Sequence, residues 1–380
     1  MASVQTVERD GRNAYLVRWR TPEGASRKKV FSKKSDAERH RTSVEHALHS
    51  GAYADAAAGR LTLGEWSSRW LAGRVHLTPK TIAGYESLLR ARVIPVWGPV
   101  QLGRITRAGV VAWVADMRAQ GLSASRTRQA YHLLTSMLDD AVKETLLVRN
   151  PAAGVDLPRL RSKERRYLGH QQVAELADAA GQYRALVLVL SYCGLRWGEA
   201  TALRLRNVDL LRGRVDVVES VVEVSGALVF GAPKSHQQRS VGVPKFLRDV
   251  LVEQMAGRPP GDLLFPSPNG AVLRVSNFRR RGFDRAAASI GLQGLTPHEL
   301  RHTAASLAIA SGASVKAVQR ALGHASATLT LDRYGHLFAD ELDTVADALD
   351  SAVRKNRVSS ACPATAVAEI DDHRKAADQR

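Results

Sequence analysis

Residues 296–334 read TPHELRHTAASLAIASGASVKAVQRALGHASATLTLDRY, and the chain is organised around this stretch. Its first four residues predict the start of a helix. Thr296 suits the N-cap, Pro297 the first helical position, and Glu299 the place where a capping box has a carboxylate. Gly312 marks the end of this helix. The pattern therefore predicts a compact helical unit that begins sharply at its N-terminus.

Four polar side chains of this stretch fall within that unit. His298 and Arg301 are three residues apart and share a face of the first helical turns, where free N–H groups and the positive dipole end favour an anion. His324 follows Gly323, which stops a second helix, and Tyr334 comes after one or two further turns. The sequence thus outlines a phosphate site, although a short His-x-x-Arg motif also occurs by chance.

The order and spacing of several motifs resemble the catalytic region of the tyrosine recombinases, the phage integrase family. The motifs in the stretch are His298-Glu299-Leu300-Arg301, Leu322-Gly323-His324 and Tyr334-Gly335-His336. The family's first arginine lies in a Gly-Leu-Arg-x-Gly-Glu motif, which matches residues 194–199 and indicates Arg196. Its catalytic lysine lies on a β-hairpin, and Lys234 matches that lysine in order and context. A plain hairpin lysine remains the alternative for Lys234.

The resemblance implies six catalytic residues and a reaction that uses no metal or cofactor. Two arginines would hold the non-bridging phosphate oxygens, and histidines would donate hydrogen bonds or move a proton. A tyrosine would form a 3′-phosphotyrosine link, while the lysine would protonate the departing 5′-oxygen. In this sequence the six residues are Arg196, Lys234, His298, Arg301, His324 and Tyr334.

Composition and charge indicate a polyanionic partner. Lysine and arginine number 55 against 37 aspartate and glutamate, giving a formal net charge of +18. The charge is spread through folded-looking sequence, which favours nucleic acid over a membrane surface, although a basic ribosomal or surface protein has the same balance. Cys193 and Cys362 match no metal-ligand spacing, and the apolar run that ends at Cys193 is too short to span a bilayer. With no signal-peptide core at the N-terminus, we expect a soluble cytoplasmic protein that binds double-stranded DNA and no membrane.

The first segment, residues 1–55, is predicted to be a small sheet with one helix. Strands are expected at 3–9, 14–20 and 27–31, and a helix at 35–48. One sheet face would pack on the helix while the other offers the cations Arg18, Arg20, Arg27, Lys28 and Lys29. Similar modules in phage integrases bind arm-type DNA sites, which implies DNA contacts for Arg18, Arg20 and Lys28. A solvated sheet face would explain the same charges.

Residues 51–59 indicate a linker, and residues 61–150 a four-helix domain. Helical periodicity covers 63–72, 81–93, 107–120 and 125–145. The last helix opens with hydroxyls and cations suited to phosphates: Ser123, Ser125, Arg126, Thr127 and Arg128. The resemblance implies a helical, SAM-like core-binding domain with DNA contacts from Arg126 and Arg128. A basic linker at 151–167 follows, in which Arg161 and Arg165 would lie along DNA unless the segment is merely a flexible charged connector.

Residues 168–353 are expected to form the mixed α/β catalytic domain. It would hold an apolar helix at 183–193, a small sheet from strands at 214–218, 221–224 and 229–230, and a basic helix at 277–289 with phosphate contacts from Arg279 and Arg280. A last helix carries the apolar stripe Leu342, Val345, Ala346, Leu349 and Val353, which would pack within the domain or, as the resemblance suggests, on a neighbouring protomer. Residues 354–380 are predicted to be disordered. The fold class is multidomain and mainly α with small β-sheets, that is, α+β.

These features predict a site-specific recombinase that integrates or excises a phage or other mobile element at attachment sites, acting as a homotetramer on DNA. A directionality factor and a host DNA-bending protein are candidate partners. Three alternatives stay open. A Xer-type recombinase for chromosome dimers shares the chemistry but usually lacks the N-terminal module. A non-catalytic DNA-binding regulator would not need all six residues, and a type IB topoisomerase would relax supercoils without sequence preference.

Overall fold

The computed structural model describes residues 2–9, 12–21, 24–49, 60–160, 166–233, 238–338, 346–347 and 349–354. Several predictions therefore lie outside the described residues: the linker at 51–59, Arg161 and Arg165, Lys234, the part of the last helix that carries Leu342 and Val345, and the tail from 355 onward. The chain divides into two compact units, Met1–Lys163 with Glu223–Ala227 and Glu164–Val222 with Leu228–Arg380.

The first unit begins with a three-stranded antiparallel sheet and a helix. Strands β1 (Ser3–Arg9), β2 (Arg12–Arg20) and β3 (Ser26–Phe31) pair in chain order, and helix α1 (Lys34–His49) follows. The predicted strands and helix are present, with ends that differ by at most two residues.

The register of this sheet divides its cations between two faces. Arg18 lies opposite Lys28, whereas Trp19 lies opposite Arg27. The rings of Trp19 and Phe31 contact His40 of α1, so the helix covers the face that carries Trp19. Directly paired residues project on the same face. The prediction that all five cations share the open face is therefore wrong for two of them, because Arg27 and Lys29 belong to the helix-covered face.

The remainder of this unit is helical. Its elements are α2 (Leu63–Ala72), α3 (Pro79–Leu88) continued by a π-helical turn (Leu89–Val93) and α4 (Ile94–Trp97), then α5 (Arg107–Ala119) and α6 (Ala124–Lys143). The π turn lies just before Pro95, whose nitrogen has no hydrogen to donate to the preceding turn. Four tryptophans and the apolar face of α6 fill the core. Thr127 is also fully buried in α6, so its predicted role at a phosphate is wrong.

The second unit is built on the apolar helix α8. Its first elements are α7 (His170–Ala179), α8 (Arg184–Cys193), α9 (Trp197–Ala202), β4 (Val208–Asp209), β5 (Arg214–Val217), β6 (Ser220–Val224), β7 (Ala227–Gly231), β8 (Arg239–Gly242) and α10 (Lys245–Met255). The end of β6 and the start of β7, within Glu223–Ala227, are grouped with the first unit. Two small sheets form instead of the single one predicted: β4-β5-β8, which is antiparallel, and the β6-β7 pair.

The second unit ends in the helices that carry residues 296–334. A basic helical stretch comprises α11 (Val275–Phe278), a π-helical turn (Arg279–Phe283) and α12 (Asp284–Ser289). Helices α13 (Pro297–Ala310), α14 (Val315–Leu322) and α15 (Ala327–Tyr334) follow, with α13 packed on α8. This mainly helical architecture with small antiparallel sheets confirms the α+β class. Within the described parts of the chain, no helix is both long and apolar enough to cross a membrane.

Candidate active site

The start of α13 is fixed as its sequence predicts. The backbone nitrogen and Oγ1 of Thr296 donate to Oε2 of Glu299 at 2.7 and 2.9 Å. Pro297 occupies the first turn, where no backbone hydrogen bond is lost. This start places Arg301 inside the unit, with 3% of its surface exposed, while His298 stays exposed at the end of the helix.

Three arginines bind the carbonyl groups at the C-terminal end of α14. Nε of Arg239 donates to the oxygen of Ala321 at 3.0 Å, Arg301 donates to the oxygen of Leu322, and Nη2 of Arg196 donates to the oxygen of Gly323 at 3.2 Å. The last carbonyls of a helix have no partner within it and carry its negative dipole end, so cations stabilise them. The three guanidinium groups thereby fix the point where the chain leaves α14 and enters His324.

Gly323 and Gly198 allow this close packing. Gly323 has a φ of 62°, in the left-handed region that ends helices, and a Cβ on it would lie 3.0 Å from Cδ of Arg239. A Cβ on Gly198 would lie 2.3 Å from the carbonyl oxygen of Val221 on β6. The second glycine of the 194–199 motif is therefore required for α9 to approach β6.

Glu199 is the buried carboxylate that holds two of the arginines. Its side chain is 0% exposed and accepts two hydrogen bonds from Arg239, at 2.9 and 2.7 Å, and one from Nη1 of Arg196 at 2.7 Å. The backbone nitrogen of Arg196 donates to it at 2.9 Å. Burial alone would raise the pKa of Glu199, but the hydrogen bonds and charge of Arg239, with those from Arg196, lower this pKa to about 2.

Four aromatic rings form a row beside the arginines, which we call the ring row: His298, His302, Tyr334 and His324. The centroids of His298 and His302 are 4.9 Å apart, those of His302 and Tyr334 5.8 Å, and those of Tyr334 and His324 6.4 Å. Nδ1 of His302 lies 2.7 Å from Oη of Tyr334. Tyr334 is 1% exposed, so its hydroxyl is held inside the unit.

Burial and the charges of the nearby arginines lower the pKa values of the two outer histidines, His298 and His324. Partial desolvation, followed by the charges of Arg301, Arg333 and Arg196, lowers the pKa of His298. The same causes lower the pKa of His324 to about 4. Burial and the nearby Arg196 lower the pKa of Arg301 to about 9, which leaves this guanidinium charged at neutral pH. The site therefore combines cationic arginines with two histidines whose charged form is disfavoured.

The structure brings five of the six predicted catalytic residues together and does not describe the sixth. Arg196, His298, Arg301, His324 and Tyr334 all lie around α13–α15 in the second unit, and Lys234 falls in the undescribed segment 234–237. Their catalytic roles stay predictions. Among the predicted DNA contacts, Arg18, Arg20, Lys28 and Arg280 are exposed, and Arg126, Arg128 and Arg279 are half-buried.

Sequence reasoning assigned no role to Glu199, Arg239 or His302. Glu199 is the last residue of the 194–199 motif, and His302 lies four residues after His298, a spacing that places both on one helix face. Arg239 is the first residue of β8, and its partner in the site, Glu199, is 40 residues away in the sequence, so no local pattern indicates it.

The arrangement suits attack on a phosphodiester. A guanidinium has five N–H donors, and the bonds described for Arg196 and Arg301 use only two side-chain donors of each. The other donors can bind non-bridging oxygens as negative charge develops. The phenol of Tyr334 can supply a nucleophilic oxygen, and the neighbouring imidazoles can donate hydrogen bonds or accept its proton.

Comparisons with known proteins agree with this chemistry. A family model described as the phage integrase family matches residues 166–341. The integrase of Mycobacterium phage D29 is 30% identical over 290 residues, covering 73% of this chain and 75% of that protein. The integrase of Mycobacterium phage FRAT1 is likewise 30% identical over 290 residues, covering 73% and 84%. The Tn1549 transposon integrase, solved in complex with a circular intermediate DNA, has a TM-score of 0.67 at 19% identity and covers 76% of this chain and 99% of that structure.

Proposed function

Because this chain belongs to the phage integrase family of tyrosine recombinases, we propose that Tyr334 cleaves DNA at attachment sites and forms a covalent phosphotyrosine intermediate. The chain is a site-specific recombinase, and integration or excision of a phage or other mobile element is the role that fits its relatives. The observation that supports Tyr334 as nucleophile most directly is its place in the ring row, beside Arg196 and Arg301.

The proposed reaction keeps the energy of the phosphodiester. Oη of Tyr334 attacks phosphorus, the bond to the 5′-oxygen breaks, and the guanidinium groups of Arg196 and Arg301 stabilise charge on the non-bridging oxygens. The departing oxygen takes a proton, for which we propose Lys234 as the donor. A 5′-hydroxyl of a partner strand then attacks the tyrosyl phosphate and restores a phosphodiester without ATP.

The remaining assignments follow from the same family membership and from the charges. We propose that residues 1–55 bind arm-type DNA, that residues 61–150 form the core-binding domain, and that residues 151–167 link it to a catalytic domain at 168–353. DNA contacts are proposed for Arg18, Arg20, Lys28, Arg126, Arg128, Arg161, Arg165, Arg279 and Arg280. Four protomers would assemble, because two duplexes are each cut on both strands. A directionality factor, a host DNA-bending protein and action on DNA in the cytoplasm belong to the same proposal.

The N-terminal sheet supports integration over chromosome-dimer resolution. Strands β1–β3 and helix α1 precede α2, and Xer-type recombinases usually lack such an N-terminal sheet and helix. Arg18 and Lys28 are paired on its open face, where they can meet phosphates.

Covalent trapping tests the proposal. The full-length protein and Tyr334→Phe would be incubated with nicked duplexes that carry a site selected from a random-sequence duplex pool. We expect an adduct that survives denaturing electrophoresis with the wild type alone. Tight binding by both proteins without an adduct would instead favour a DNA-binding regulator, and an adduct with both would show that another residue attacks.

A further inference from the structure

The hydroxyl of the proposed nucleophile already has a hydrogen-bond partner. Nδ1 of His302 lies 2.7 Å from Oη of Tyr334, within the 2.6–3.2 Å that proton transfer requires. Both residues are buried, with 9% of His302 and 1% of Tyr334 exposed. Helix α13 supplies the imidazole and α15 the phenol, so the bond joins the two helices that carry the site.

The other two histidines of the ring row have different surroundings. The ring of His298 contacts the ring of His302 edge to face, with centroids 4.9 Å apart and an interplanar angle of 76°. Nδ1 of His324 lies 2.9 Å from the hydroxyl oxygen of Thr330. The titratable groups near His302 include His298 on its own helix, Tyr334 on α15, and His324, whose charge would act on it across the row.

A tyrosine that attacks phosphorus must lose its proton. An ordinary phenol has a pKa near 10, so little phenolate exists at neutral pH without a base beside it. An imidazole is suited to accept that proton and to return it, because its ordinary pKa is near 6.5. A positive charge formed on His302 would lie near the phosphate that the site is built to hold.

We propose that His302 is a catalytic residue that accepts the phenolic proton when Tyr334 attacks and returns it when the strand is rejoined. In the forward step the Oη–H bond breaks and its proton moves to Nδ1. The electron pair left on Oη forms the bond to phosphorus, and the bond from phosphorus to the 5′-oxygen breaks. The 5′-oxygen takes its proton from a separate acid, and rejoining reverses every step. This inference rests on the proposed function of Tyr334.

The chain offers a matched control for this histidine. His170 on α7 places its Nδ1 2.9 Å from Oη of Tyr192 on α8, so the second unit contains a second histidine–tyrosine hydrogen bond. The two rings are stacked with centroids 5.7 Å apart, and the pair lies outside the ring row. Replacing His170 by asparagine removes a histidine–tyrosine bond of similar length, at a more exposed position, without touching the proposed nucleophile.

The test measures single-turnover formation of the covalent adduct by the wild type, His302→Asn and His170→Asn between pH 5 and 9. Each full-length protein is incubated with two nicked duplexes that carry the selected site. One has the normal oxygen at the bridging 5′-position of the cleaved phosphate, and the other has sulfur there. Sulfur leaves as a thiolate and needs no acid, but the tyrosine still must lose its proton. We expect His302→Asn to slow cleavage of both duplexes by roughly 10²–10⁴-fold and to lose the fall in rate at acidic pH, with DNA affinity unchanged. His170→Asn should behave as the wild type.

Chemical rescue separates proton transfer from packing. His302→Ala leaves space beside Oη, and added imidazole should restore part of its cleavage rate without changing its DNA affinity. The proposal would be overturned if His302→Asn kept the wild-type cleavage rate and pH profile. It would also be overturned if the cleavage rate of His302→Asn returned to the wild-type value on the sulfur duplex, or if this variant cleaved DNA faster than the wild type. A wild type that forms no adduct would refute the proposed function itself, whereas an active wild type with an equally active His302→Asn would refute only the role of His302.

Discussion

Arg239→Met removes the guanidinium that neutralises Glu199 while keeping most of the side-chain length. The pair is buried, with 9% of the arginine side chain and 0% of the carboxylate exposed, and its N–O distances are 2.9 and 2.7 Å. Breaking one partner of a buried ion pair costs about 3–5 kcal/mol, because it leaves an uncompensated charge. Arg196 still donates to Glu199, which places the expected loss toward the lower end of that range.

Hydrogen exchange of the full-length protein measures this loss where it occurs. Since about 1.4 kcal/mol corresponds to a factor of ten, amides of α9 and β8 should exchange roughly a hundredfold or more faster in Arg239→Met. Arg184→Met is the matched control, because its 2.8 Å pair with Asp178 has side chains that are 50% and 68% exposed. An exposed pair contributes less than about 1 kcal/mol, so this control should change little.

A double-mutant cycle completes the test. Glu199→Gln removes the buried charge, so Arg239→Met should cost less in that background, with a coupling of about 1–3 kcal/mol. If α9 exchanges at the wild-type rate in Arg239→Met, or if Arg184→Met has an equal effect, the buried charge cluster does not hold the arginines in place.

Three further predictions concern stability and reactivity. Gly198→Ala should lower the free energy of unfolding in urea by about 1–3 kcal/mol, because its Cβ would lie 2.3 Å from a backbone oxygen of β6. Gly84→Ala should not lower this free energy, because a Cβ on Gly84 would have no atom within 4 Å. The free energy of unfolding should fall in acid. The fold favours the neutral form of His324, whose pKa is about 4 against an ordinary 6.5, so protonation of the unfolded chain lowers stability as the pH falls from 6.5 to 4. The fold also favours the ionised form of Glu199, whose pKa is about 2 against 4.5, so stability falls further from pH 4.5 to 2; urea midpoints that stay constant over pH 7–3 would contradict this. Burial raises the pKa of Cys193 to about 12, so in a variant without the second cysteine a thiol reagent should label it only after unfolding; labelling of the folded protein at the rate of a free thiol would refute this.

Local sequence signals predict the helices of the site well. The capping box of Thr296 and Glu299 and the left-handed Gly323 determine where α13 begins and α14 ends. These signals act between neighbours in the chain, so they can be recognised without knowing the fold. The same holds for α8, whose apolar run ends at Gly194 with a φ of 63°.

Long-range contacts account for what sequence reasoning missed. Arg239 and Glu199 are 40 residues apart, and His302 and Tyr334 are 32 apart, so only the packed structure shows these bonds. Strand register, which pairs Trp19 with Arg27, decided which sheet face receives each cation. The spacing of His302 from His298 predicts that both lie on one helix face, but the His-x-x-Arg motif indicates only His298 and Arg301.

The central claim is that Tyr334 becomes covalently joined to DNA, and peptide mapping tests it most directly. The adduct formed by the full-length protein on the selected nicked duplex would be digested with protease and nuclease, and the peptide that carries a nucleotide identified by mass spectrometry. We predict a nucleotide on Tyr334 through a 3′-phosphate. A nucleotide on another residue, such as Tyr192 or Tyr167, or a link through a 5′-phosphate, would contradict the account.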